Sequence, residues 1–251
     1  MDSYLISKID GKILSKGDML DAFYTAIIKP EKTVLFSFVN PYSYTRVLSL
    51  NIINSVDYWG ADGQLFCFLY NIFNRNKSIT RSSFDFSSIA NSVFRSAELN
   101  KKKVGLIGGS HDDIQAAVLF IKRKYRDLDI VYYRHGYNLR NELPEISNCI
   151  VKNNCEILIL GLGTPLQEEV GIYFKNNRSC NILFTCGAFI SQTGNKGDYF
   201  YPLVKKLGLR WFQRAYMHSY VRRRLLVDYP LFVFNYTLTK LKNIFVIKKD
   251  F

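Results

Sequence analysis

Short apolar runs, each closed by turn residues, recur along the first three quarters of this chain and constrain its fold most. They are Thr33–Val39, Val104–Ile107, Ile130–Tyr133, Ile157–Leu160 and Ile182–Thr185. Such runs are too short for helices and lack polar alternation, the pattern of strands covered on both faces. Between them, Asp112–Tyr125 and Pro165–Asn176 carry apolar residues at helical spacing. Strand and helix alternating over Thr33–Phe189 predict an α/β domain built on a mainly parallel sheet with flanking helices. At 251 residues the chain has room for one substantial core, or one core and a small appendage.

Charge is the second constraint. The formal net charge is +13, and the 57 residues from Asn195 to Phe251 hold 12 Lys and Arg against 3 Asp and Glu. An anionic partner is therefore expected: nucleic acid, an anionic membrane and a phosphorylated substrate all fit, and composition does not choose among them. The same tail interleaves Trp211, Phe212, Tyr216, Tyr220, Tyr229, Phe232, Phe234 and Tyr236 with its basic residues. That mixture suits an interface between water and anionic lipid, and equally a solvated basic face with packing aromatics. Boundaries at 1–194 for the α/β domain and 195–251 for a basic aromatic appendage follow from this shift. No apolar stretch reaches the ~18 residues that a spanning helix needs, Tyr229–Leu238 being interrupted by Pro230 and Asn235. The N-terminus has neither a basic nor an apolar signal region, and the five cysteines form no CxxC pair, so a reduced compartment is expected.

Two glycine turns follow predicted strands: Gly108-Gly109-Ser110 and Gly161-Leu162-Gly163-Thr164-Pro165. Glycine after a strand permits close backbone approach to a ligand, and the helix N-terminus beyond it offers N–H groups to an anion such as a diphosphate. Equally, such turns serve as tight connections alone. Leu166 stands where a dinucleotide fingerprint needs a third glycine, and no GK[ST] follows, so neither a dinucleotide nor a Walker A loop is present. Pro165 is placed as a first helical residue, and Glu168 and Glu169 complement the dipole of that helix. Trp59-Gly60-Ala61-Asp62-Gly63 reads as a glycine-rich turn in which Asp62 could serve as a general base. Asn40 follows the first strand at the same sheet edge. Asp112-Asp113 reads as a helix cap, and His111, His135 and His218 are scattered, with no metal-ligand spacing.

Taken together these pieces resemble the WecG/TagA/CpsF glycosyltransferase family. The resemblance rests on FVNPYSY (38–44), ADGQ (61–64), the stretch from LIGGSHDD (106–113) to RHGY (134–137), and GLGTPLQEE (161–169), the most specific block. LGLRWFQR (207–214) is similar to the opening of that family's C-terminal appendage, and the match covers roughly residues 30–228. It implies a Rossmann-like fold and metal-independent, inverting transfer from a UDP-sugar to a polyprenyl-diphosphate-linked sugar in surface polysaccharide synthesis, with no cofactor. The enzyme would sit peripherally on the inner face of a bacterial membrane. Asp62 takes the position of the catalytic base and Asn40 that of a substrate contact. Gly161, Gly163, Gln167 and Glu168 fall on the nucleotide-sugar signature, and Gly108, Gly109, Gly136 and Tyr137 on the third block. Arg214, with Arg222 and Arg224 by looser alignment, falls on appendage arginines that would meet diphosphate, since guanidinium forks suit a departing UDP.

This chain departs from the family pattern at Phe38, Leu166, Arg210 and Tyr199-Phe200-Tyr201-Pro202. The donated sugar therefore stays open among N-acetylmannosamine, its uronic acid and glucose. A basic nucleic-acid-binding protein is the alternative, and it carries no recognised RNA or DNA motif. A sugar-nucleotide epimerase would need a redox-cofactor site, which the missing third glycine speaks against.

Overall fold

A computed structural model of the chain describes residues 3–50, 52–75, 77–196, 215–216 and 219–247. The chain begins with α1 (Ser3–Lys12), β1 (Ile13–Leu14) and α2 (Lys16–Ile28), then β2 (Val34–Val39), α3 (Pro41–Ser49) and β3 (Tyr58–Ala61). Helices α4 (Gln64–Phe73) and α5 (Ala90–Leu99) lead to β4 (Val104–Gly108), α6 (His111–Lys124) and β5 (Ile130–Arg134). After α7 (Leu139–Lys152) come β6 (Ile157–Gly161), α8 (Leu166–Asn176), β7 (Ile182–Thr185) and α9 (Phe189–Lys196). The described C-terminal part holds α10 (Ser219–Arg223), a π-helical turn at Arg224–Asp228, and α11 (Tyr229–Ile247).

Among the described residues all the strands lie in one seven-stranded sheet, ordered β1-β3-β2-β7-β6-β4-β5, and every pairing is parallel. Parallel strands need crossovers, and right-handed crossovers put each helix on a face fixed by the direction of travel. Steps toward β5, from β1 to β2 and from β4 to β5, place α2 and α6 on one face. Steps the other way place α3, α7 and α8 on the opposite face. Two apolar cores result. Phe23 of α2 and Ile114 of α6 belong to one, and Val47, Ile146 and Phe174 of α3, α7 and α8 to the other. Within β2, Val34, Phe36 and Phe38 enter the first core while Leu35 and Val39 enter the second, so both faces are apolar and the run shows no polar alternation.

The α/β architecture agrees with the sequence reading, with local corrections. Trp59 and Gly60 belong to strand β3 rather than to a turn, and β3 pairs with both β1 and β2. The cap of α6 is Ser110, whose hydroxyl accepts from the Asp113 N–H, while Asp113 reciprocates as the third residue of a capping box. Helix α8 starts at Leu166; Pro165 is its N-cap, joined to Thr164 by a cis peptide bond.

Helix α11 packs against the face that carries α1, α3 and α4. Phe232 and Tyr236 are fully buried, and their rings meet those of Tyr44 and Phe66 at 5.3–6.2 Å. Among the described residues no helix is long and apolar enough to cross a membrane.

Candidate active site

In a parallel sheet every strand ends at one edge, so the loops after β2, β3, β4, β6 and β7 gather there. The chain leaves β4 toward β5 but leaves β6 toward β7 on the other side. A crevice opens where neighbouring loops diverge in this way. Gly108 and Gly161 end these two strands side by side; a Cβ on Gly108 would lie 2.4 Å from the Gly161 carbonyl oxygen, so no other residue fits there. A cleft of ≈ 1910 Å³ runs along this edge, and Asn40, Asp62, Gly161, Gly163, Gln167 and Arg224 lie in its wall.

Asn40 caps α3, its side-chain oxygen accepting from the N–H groups of Tyr42 and Ser43 at 3.0 Å each. That leaves its amide nitrogen as the donor Asn40 can offer a ligand. Asp62 directly follows β3, its N–H bonded to the Val39 carbonyl at 2.7 Å. Gly63 turns the chain into α4 at φ +109°, a conformation that suits glycine alone. The Asp62 carboxylate is about one-third exposed and accepts from Arg81 at 3.3 Å. Arg81 also pairs with Asp85, which in turn accepts from Ser83 at 2.6 Å and from the Ser87 N–H at 2.8 Å. Burial disfavours the Arg81 charge, yet Asp62 and Asp85 outweigh it and raise its pKa. Burial pushes Asp85 up, but Arg81 and the two serines outweigh that and hold it below the usual carboxylate range. One guanidinium therefore fixes the direction of the Asp62 carboxylate while a second, fully ionised carboxylate anchors that guanidinium.

Beneath the cleft lies a buried polar cluster. Glu168 Oε1 accepts from Ser37 at 2.9 Å, from the Gln167 amide at 2.9 Å and from Thr164 at 3.2 Å, and Ser37 meets Thr185 at 2.9 Å. Gln167 spans cluster and cleft, accepting the Gly187 N–H at 3.0 Å. Oε2 of Glu168 has no hydrogen-bond partner among the described residues. Burial pushes the Glu168 carboxyl up to about 7, against the pull of its three donors. Glu168 thus supports the loop that precedes α8 from below.

Arg224, which also lines the cleft, lies 3.7 Å from the centre of the Tyr42 ring, and Arg46, outside the cleft wall, lies 3.5 Å from the same centre. Two guanidiniums cannot share one face at those distances, so they sandwich the ring. Arg46 also contacts Asp228 at 3.9 Å. Arg222 does not line the cleft; it donates to the carbonyls of Ala215 and Tyr216 at 3.1 and 3.3 Å. Arg214 lies outside the described residues. Gly109, Gly136 and Tyr137 sit at the ends of β4 and β5, beside the cleft rather than in its wall, with the Gly136 N–H on the Gly109 carbonyl at 2.9 Å. Arg81, Tyr42 and Arg46 were not singled out from sequence. Arg81 stands in an irregular polar segment, and only its convergence with Asp62 in space marks it. Among the described residues no group of three or more His, Cys, Asp or Glu is placed to hold a metal ion.

A doubly wound, all-parallel sheet with a carboxylate, an amide and arginines at one open cleft is the layout of an α/β enzyme. The chain belongs to the WecG/TagA/CpsF family of glycosyl transferases, whose family model matches residues 6–244. It is a glycosyltransferase, as its relatives are. It is 40% identical over 214 residues, 85% of this chain and 90% of the relative, to UDP-Gal:alpha-D-GlcNAc-diphosphoundecaprenol beta-1,4-galactosyltransferase of Shigella boydii. It is 23% identical over 202 residues, 80% of this chain and 77% of the relative, to N-acetylglucosaminyldiphosphoundecaprenol N-acetyl-beta-D-mannosaminyltransferase of Staphylococcus aureus (strain MW2).

Proposed function

We propose that this chain transfers galactose from UDP-galactose to a sugar carried on polyprenyl diphosphate, by an inverting, metal-independent displacement at the inner face of a bacterial membrane. The observation that carries this reading is Asp62, held by the Arg81–Asp85 pair in the wall of a cleft that Arg224 also lines. Support for this donor comes from the activity of the Shigella boydii protein, whose identity of 40% contrasts with 23% for the mannosaminyltransferase. Galactose is thus proposed in place of N-acetylmannosamine, its uronic acid and glucose, the types expected from the sequence. The acceptor class is common to both names, each an N-acetylglucosaminyl group on diphosphoundecaprenol.

In the reaction Asp62 takes the proton of the attacking acceptor hydroxyl. The oxygen forms a bond to the anomeric carbon as the bond from that carbon to the UDP oxygen breaks, inverting the centre. UDP leaves with the bonding electron pair, and its growing negative charge is met by arginine rather than by a divalent cation. Asn40, Gly161, Gly163 and Gln167 bind the sugar nucleotide, with Glu168 holding Gln167 from below. The basic excess of the C-terminal 57 residues fits an anionic bilayer where such an acceptor resides. The nucleic-acid reading draws no support from the family.

The test is UDP release from a panel of UDP-sugars, with and without a short-chain prenyl-diphosphate-GlcNAc acceptor. Acceptor-dependent release from UDP-galactose is the expected result. Release from UDP-N-acetylmannosamine alone overturns the donor assignment, and release from no donor overturns the reaction.

A further inference from the structure

Tyr42 joins three contacts that converge on the cleft. Its N–H donates to the Asn40 side-chain oxygen at 3.0 Å, where α3 begins. Its carbonyl accepts from Arg46, one turn later, at 3.1 Å. Its ring, half-buried in the cleft wall, carries Arg224 on one face at 3.7 Å and Arg46 on the other at 3.5 Å. Arg46 stands behind the wall with Asp228 beside it at 3.9 Å. Arg224 and Asp228 are the two ends of the π-helical turn, so that turn is pinned to α3 at both ends.

Three cations line the cleft among the described residues: Arg81, Lys124 and Arg224. Arg81 is taken up by Asp62 and Asp85. Lys124 ends α6, which starts at the glycine edge and runs roughly 20 Å away from it. Arg224 is therefore the cation best suited to a diphosphate. Stacking engages the face of a guanidinium, and its N–H donors stay in the plane of the group, where an anion can meet them. An arginine ordered on a ring before its ligand arrives has already lost much of the rotamer freedom that binding would otherwise remove.

We propose that Tyr42 is a positioning residue: its ring holds Arg224 in the plane from which the guanidinium meets the distal phosphate of the departing UDP, and Arg46 braces the ring from behind. The inference rests on the UDP-sugar reading above and adds the residue through which that arginine is aimed. Tyr42 meets no reacting atom itself and acts through Arg224.

The experiment measures the affinity of the full chain for UDP and for UMP by calorimetry, and kcat for UDP release from UDP-galactose with a prenyl-diphosphate-GlcNAc acceptor. Tyr42→Leu weakens UDP by about tenfold, the scale of one partly desolvated cation–π contact, and changes UMP, which lacks the distal phosphate, by less than about twofold. Tyr42→Phe keeps the ring face and restores both UDP affinity and kcat. In an Arg224→Gln background Tyr42→Leu adds no further loss, because the group it aims is gone. Tyr42→Gln, a second ringless variant, repeats the leucine result and guards against misfolding of either. Equal losses for UDP and UMP, or full additivity of Tyr42→Leu with Arg224→Gln, would mean that the ring only shapes the fold and would overturn the proposal. A wild type that binds no UDP overturns the donor reading itself, and this inference with it.

Discussion

Asp62 owes its orientation to charges that sit around it rather than to its own turn, and Glu168 owes its raised pKa to burial. The two carboxyl groups lie near one cleft in opposite environments. Glu168 is fully buried, with its pKa pushed up to about 7 from an ordinary value of 4.5. A carboxyl whose pKa rises on folding binds its proton more tightly in the native state. Stability is therefore full below the unfolded pKa and declines as pH rises through the native value. The wild type should lose up to about 3 kcal/mol of stability between pH 4.5 and 7 through this group. The Glu168→Gln variant, which cannot ionise, should lack that component, and urea melts at the two pH values would show it. Equal pH dependence in the two proteins would mean that Glu168 is ionised throughout. In sequence Glu168 looked like a helix-dipole partner and signature residue; its burial depends on Ser37 and Thr185 from strands far away in the chain, which no local pattern reports.

At the scale of elements, α11 is attached by a buried polar cluster centred on Asp10 of α1. Its carboxylate accepts from Tyr44 at 2.8 Å and from Tyr236 and Lys240 at 2.7 Å each, and its backbone carbonyl accepts from Tyr70 at 3.0 Å. Lys240 also donates to Asn74 at 3.0 Å. Burial, followed by the charge of Asp10, raises the pKa of Tyr44 and Tyr236, so both remain protonated donors. Removing Asp10 leaves Lys240 buried without its counter-charge. Asp10→Ala should cost about 3–5 kcal/mol and lower Tm by on the order of 10 °C, measurable by calorimetry. A fall of only a degree or two would mean that α11 is held by apolar contacts alone. The five strands read from sequence are those with both faces apolar. The two that escaped are β1, only two residues long, and β3, where Trp59-Gly60 followed by Asp62-Gly63 has the composition of a turn. The cleft edge was legible because glycines and an Asx residue end its strands. The Arg46–Tyr42–Arg224 stack was not, since it joins α3 to a segment about 180 residues later in the chain.

For the whole molecule, the catalytic domain at 1–194 and the basic appendage at 195–251 are proposed as functional units, yet α11 shares a core with α1, α3 and α4. A chain cut after residue 194 exposes Tyr44 and Phe66 and strands the Asp10 carboxylate, so it should melt well below the full chain. Loss of transfer in such a truncation would therefore mix stability with function, whereas Arg224→Gln leaves the shared core in place and separates the two. If the truncated chain melts with the full one, the shared core contributes little and the appendage is dispensable to the fold. The central claim, that this cleft performs base-assisted glycosyl transfer to a lipid-linked sugar, is tested most directly by Asp62→Asn. Acceptor-dependent UDP release from UDP-galactose should fall by about 10²–10⁴-fold, while UDP binding by calorimetry stays close to that of the wild type. Near-normal turnover in Asp62→Asn would contradict the account, because the proton of the acceptor hydroxyl would then leave by another route.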